Sequence, residues 1–93
     1  YGASTKGNVL LQYFNIGNQM LDFIADRNPK KYNKYTPGTN IKIISEKRSR
    51  KIKPHYYLVL PWHFRKEILK REKLTINKGS KFIFPLPKPI IYS

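Results

Sequence analysis

Cysteine is absent from the 93 residues, which excludes a disulfide framework and a thiolate metal site and is compatible with a reducing compartment. Acidic residues are scarce: five Asp and Glu stand against 19 Lys and Arg. These few carboxylates show no ligand-like spacing beside the two histidines, so no metal constellation is expected. Nor do they form the facing pair that glycoside chemistry requires, and no Ser-His-Asp order stands out. No apolar run approaches the roughly 20 residues needed to cross a bilayer, and no signal-peptide pattern opens the chain. There is no Met at position 1, and the strand expected before Gly2 is missing.

What is present is enough for one modest domain. Hydrophobic residues make up 40% of the chain and aromatics 14%, a composition able to build a core. The formal net charge is +14 and the isoelectric point about 10.2. Such a field attracts polyanions: nucleic acid, an acidic membrane surface or phosphorylated small molecules. It equally suits a Lys-rich solubilising surface or an acidic partner domain. The positive residues are spread along the chain, and Lys47, Arg48, Arg50, Lys51 and Lys53 form the one tight cluster.

The opening residues carry the most pointed pattern. Gly2, Ser4 and Gly7 stand in G-x-S-x-x-G spacing, followed by Val9, Leu10, Leu11, Tyr13, Phe14 and Ile16, with Asp26 closing a later apolar stretch. A dinucleotide-type turn needs small residues so that backbone can approach a phosphate, then a helix start facing it. An acidic residue about 20 positions on can accept from a ribose hydroxyl. Here Ser4 replaces the middle glycine. We read the chain as a piece of a longer protein, cut at or just inside a βα unit.

Ser4 or Thr5 caps a first helix running to about Asn15, with Gly17 as its left-handed stop. Leu21–Ala25 predicts a strand, Arg27–Asn40 a loop with a Pro37-Gly38 turn, and Ile41–Ile44 a second strand. Ser45 caps a weak basic helical turn. His55–Leu60 is the clearest strand, and Trp62 to about Asn77 the clearest helix, with Phe64, Ile68 and Leu69 on one side and a Glu67–Arg71 pair along it. Gly79 ends that helix, and Lys81–Phe84 is the last strand before a tail broken by Pro85, Pro87 and Pro89. Strands alternating with helices predict an α/β fold: an open, mostly parallel sheet flanked by helices, in three layers or a truncated version of them.

Ligands in such a sheet bind at the carboxyl ends of the strands. The loops Ala3–Asn8, Asp26–Thr39 and Pro61–Phe64 converge there and offer ammonium, hydroxyl, carboxylate and aromatic groups for a phosphorylated, hydroxyl-rich ligand. Each has a plainer reading: His63 bonding a neighbouring carbonyl, Trp62 anchoring helix to sheet, Asp26 capping a turn, and Tyr35–Gly38 being only a well-formed turn.

Four blocks in order, Tyr1-Gly-Ala-Ser-Thr-Lys-Gly-Asn8, Lys34–Thr39, Tyr57–Phe64 with Glu67-Ile68, and Gly79–Pro87, together resemble the C-terminal domain of the sugar C-methyltransferases. The resemblance covers nearly the whole chain. It implies a Rossmann-like C-terminal domain, residues 1–93, of an enzyme that uses S-adenosylmethionine to methylate a carbon of a nucleotide-linked ketosugar. A zinc-binding region and a domain holding the methyl donor come first in that family, and the nucleotide sugar lies between the donor domain and the C-terminal one. Deprotonation beside the ketone, then attack on the sulfonium methyl, is the implied reaction. The chain departs from the family pattern at His63, where Asn is frequent, at Ser80, where Gly is frequent, and in its charge.

The expectation is therefore a cytoplasmic, substrate-side domain without catalytic activity alone, its partners being a nucleotide-diphosphate sugar and the donor domain of the parent protein. The chain itself holds no cofactor or catalytic residue in this reading. Lys6, Gly7 and Asn8 contact the anion, and Tyr35, Thr36, Thr39 and His63 line the cleft. The alternatives are a basic nucleic-acid-binding module and a partner-docking module using Arg48–Lys53.

Overall fold

The structure, a computed structural model, describes Tyr1–Ser93, Thr5 by its backbone alone. Helix α1 (Thr5–Tyr13) begins at Ser4, whose hydroxyl accepts from the Gly7 amide at 3.0 Å. Asn15 (φ 57°) takes the left-handed position beyond its end, rather than Gly17; Asn tolerates that conformation because its short polar side chain bonds locally.

Strand β1 (Phe23–Asp26) runs parallel to β2 (Lys42–Ser45), Ile24 opposite Ile43 and Ala25 opposite Ile44. The loop between them holds a 3-10 turn at Pro29–Lys31 and the expected turn at Gly38, which has φ 74°. Ser45 caps α2 (Glu46–Ile52) by accepting from the Arg48 amide, and left-handed Lys53 closes it before Pro54. The basic cluster thus lies on and just after a two-turn helix rather than a weak single turn.

Strand β3 (Tyr56–Leu58) pairs in parallel with β4 (Lys81–Phe84), and β4 pairs antiparallel with β5 (Ile90–Tyr92). The tail is therefore not wholly broken by proline: its prolines make the connection and stop before Ile90. The single helix expected over Trp62–Asn77 is a 3-10 turn at Trp62–Phe64, then α3 (Arg65–Arg71) and α4 (Lys73–Asn77), separated at Glu72. The tighter 3-10 turn shifts the side-chain phase, so Phe64 is half exposed while Ile68 is buried. Gly79, at φ 110°, ends α4.

The α/β character holds. The expected Rossmann-like open sheet is corrected to two small sheets, β1-β2 and β3-β4-β5, the second partly antiparallel. Between β1 and β3, among the described residues, only Tyr1 and Gly2 bridge the two, bonding Leu58, Leu60 and Ala25. Adjacent strand residues enter opposite clusters. Ala25, Tyr57 and Val59 join Phe82, Phe84 and Ile68 on one side, whereas Ile24 and Leu60 join Leu11, Ile41 and Ile43 on the other. Period-two alternation thus buries both faces, one under α1 and the other under α3. No helix of the described residues is long and apolar enough to cross a membrane.

Candidate functional site

The Gly2–Lys6 turn, the Asp26–Lys31 start of the next loop and Pro61 meet at the carboxyl ends of the strands, whereas the Thr36–Thr39 turn expected with them lies just before β2, at the amino end of the parallel pair. Gly2 (φ 95°) turns the chain away from β1 and lies against Pro61; a Cβ on Gly2 would stand 2.5 Å from Pro61 Cδ. Asp26, ending β1, accepts from the Ala3 amide (2.9 Å) through Oδ2 and from the Asn28 amide (2.8 Å) through Oδ1. Lys31 Nζ donates to the Ala3 carbonyl at 2.9 Å and lies 3.8 Å from Asp26. The Gly2–Lys6 turn is thus held on one side by the β1 loop and touches Pro61 on the other.

Gly7 is buried, and a Cβ there would stand 2.9 Å from Leu60 Cβ, so the missing side chain lets α1 pack closely on the strand. The next residue, Asn8, binds the following loop. Its Nδ2 donates to the Pro37 carbonyl at 2.7 Å, and its Oδ1 accepts from the Thr39 hydroxyl at 2.6 Å. Thr39 in turn bonds Thr36, whose Oγ1 accepts from the Ile41 amide at 2.9 Å. Both threonines are buried.

Of the seven residues expected to contact ligand, Asn8, Thr36 and Thr39 therefore come together on one loop-to-helix seam, while Gly7 faces Leu60. Lys6 and Tyr35 are exposed beside them in the chain. His63 is exposed elsewhere, between the rings of Trp62 and Phe64 at 5.5 and 4.5 Å. It lines a hollow of about 440 Å³ with Trp62, Phe64, Arg65, Lys66, Glu67 and Pro87, and none of the other six residues reaches that hollow. Sequence reading missed Lys31 and Gln12, the latter donating to the Pro37 carbonyl at 3.1 Å. The Asn28-Pro29 start of a turn was a signal for Lys31; nothing local marks Gln12.

A second polar cluster lies under α2, α3 and α4. Glu72 has a side chain only 1% exposed and accepts from Arg50, from the Tyr1 hydroxyl (2.8 Å) and from Thr75 (2.9 Å). Arg71 donates to the Tyr1 hydroxyl (3.0 Å) and to Glu46 (3.3 Å). Burial alone would push the Glu72 carboxyl up; the Arg50 guanidinium and the Tyr1 and Thr75 hydroxyls hold it below the usual value. Burial and the Glu72 carboxylate push the Tyr1 phenol well up. The expected Glu67–Arg71 pair is replaced by these contacts. Every group here is satisfied internally, which makes this a structural clamp.

Comparison with known proteins bears on the whole arrangement. The profile of the C-methyltransferase C-terminal domain matches residues 1–87, taking in all three loops. The chain belongs to this family. It is 39% identical over all 93 residues to C-methyltransferase NovU of Streptomyces niveus, of which it spans 22% of the length. As a C-methyltransferase C-terminal domain, it carries the Gly2–Asn8 turn, the Asp26 loop and the Pro61–Phe64 turn within the family match, whereas β5 lies beyond it.

Proposed function

We propose that this domain is the substrate-side part of an S-adenosylmethionine-dependent enzyme that methylates a carbon of a nucleotide-linked sugar. Family membership over residues 1–87 supports the reading. So does the convergence of the Gly2–Lys6 turn with the Pro61 turn at the strand ends, where an α/β sheet receives ligands. Lys6 contacts the diphosphate beside the start of α1. Asn8, Thr36 and Thr39 fix the helix that carries Lys6, Tyr35 stands exposed beside Thr36, and His63 lies apart in the hollow beside Trp62.

S-adenosylmethionine supplies the methyl group from another part of the enzyme. The residues here do not suit it. Asp26 would be the ribose acceptor, yet both its oxygens are engaged by backbone amides and its side chain is only 15% exposed. The isolated domain accordingly has no methyl-transfer activity.

Calorimetric titration with a deoxythymidine-diphosphate sugar tests the reading. Lys6→Ala should weaken binding about tenfold, the loss of one charge-assisted contact of about 1.5 kcal/mol, with no change in melting temperature. Equal affinity in the variant, or no binding by the parent chain, overturns it. Net charge favours one competitor: binding of short RNA that disappears at high salt would mark the charge as a polyanion surface.

A further inference from the structure

The two sheets leave a gap between the facing edges of β1 and β3, and Tyr1 with Gly2 closes one end of it. The Tyr1 amine donates to the Leu58 carbonyl at 2.9 Å, and the Leu60 amide donates to the Tyr1 carbonyl at 3.0 Å. Gly2 turns the other way, its amide donating to the Ala25 carbonyl at 2.8 Å. This is the bonding of successive residues in a parallel strand flanked on both sides.

Beyond Tyr1 the gap continues as a cavity of about 230 Å³, with Phe23, Ala25, Ile44, Tyr56, Leu58 and Met20 among its walls. Strand alternation turns the main-chain groups of alternate residues into it. The Ala25 carbonyl faces Gly2, so Phe23 and the Ala25 N–H face the same side. His55 and Val59 bond to β4 through Lys81 and Ile83, which leaves Tyr56 and Leu58 toward the gap. The volume falls below the roughly 300–1,000 Å³ of small-molecule sites. Its flanking edges, three residues each, suit about 10 Å of extended chain.

The geometry points to a strand-accepting slot, whose occupant is an extended segment of the polypeptide that leads into Tyr1, parallel to β1 and β3. The occupant merges both sheets into one, in the order β2, β1, inserted strand, β3, β4, β5. Three observations favour it over other occupants: continuity with the bonds of Tyr1, the family's description as a C-terminal domain, and the relative's much greater length. Burial also pushes the Tyr1 amine down to about 5; a peptide N–H makes the same bond to Leu58 without a charge. The inference rests on the fold and the family, not on the sugar-binding reading, and its test is independent of that ligand.

The register is specific. The residue immediately before Tyr1 donates to the Phe23 carbonyl and accepts from the Ala25 amide. The residue before that donates to Tyr56 and accepts from Leu58. Amide hydrogen exchange by NMR tests this on the 93-residue chain, on its Nα-acetylated form, and on chains lengthened by Thr-Val-Ile-Val or by Thr-Val-Pro-Pro. Acetylation supplies one carbonyl and should slow Ala25 alone. The apolar extension should slow both Ala25 and Leu58 on the order of tenfold, with Ile24 and Tyr57 as references, and the proline extension should slow Leu58 much less. Unchanged exchange in both the acetylated and extended chains overturns the inference. So does equal protection in the unmodified chain, or protection that grows with concentration as the mass doubles, which assigns the gap to a second copy.

Discussion

Single residues set the close approaches that shape the site. Gly2 combines a left-handed φ of 95° with contact to Pro61, two reasons that exclude a side chain. Gly2→Ala should cost about 2–5 kcal/mol, from backbone strain and overpacking together, read as a shift of the urea midpoint. Pro61→Ala in the same chain should recover the packing part and leave the strain; full recovery would show that the backbone conformation costs nothing. Gly2 and Gly7 were expected to admit a phosphate, and the groups close to them are Pro61 and Leu60; the caps at Ser4 and Ser45 and the stop at Gly79 were read directly, because capping is local chemistry. The partners of Asp26 and Glu72 were not legible: they come from residues 23 and 71 positions away for Ala3 and Tyr1, distances no spacing rule reaches.

At the scale of elements, α2, α3 and α4 are held over the sheet by the carboxylates of Glu46 and Glu72. Glu72→Ala should destabilise the chain by about 2–4 kcal/mol, because Arg50 and the Tyr1 hydroxyl lose a buried acceptor. Arg50 is more exposed, and Arg50→Ala should cost less. The Glu72 carboxyl is held below its usual 4.5 in the fold, so the unfolded chain binds its proton first as pH falls. Its stabilisation is complete above about 4.5 and is lost below it. Melting curves between pH 6 and pH 3 should show a steep fall in the parent and a shallower one in Glu72→Gln; parallel curves would remove Glu72 from the acid transition. Most elements were visible in sequence as runs and punctuation. The break at Glu72 and strand β5 were not, since the first depends on Tyr1 and Arg50, and the second hides behind three prolines that read locally as disorder of the strand pattern.

For the whole molecule, family and α/β class followed from ordered blocks and alternation, whereas the division into two sheets did not, because it turns on Tyr1 and Gly2 alone bonding both β1 and β3. Asp26, Glu46 and Glu72 are spent on lysine and arginine partners, leaving Asp22 and Glu67 as the other carboxylates against an excess of cations. Self-repulsion at +14 opposes compactness and is screened over about 10 Å at 0.1 M salt. The melting temperature should therefore rise as salt increases from about 20 to 300 mM; a fall would show that ion pairs outweigh repulsion.

Strand β5 gives that same screening a second effect. It has a neighbour on one side only, Ile91 is 59% exposed, and no charged residue lies between Pro89 and the end of the chain. Mutual repulsion keeps such edges apart in dilute buffer. Salt that tightens each molecule also lets two copies zip edge to edge, so concentrated stocks will keep best at low ionic strength, where the individual fold is weakest.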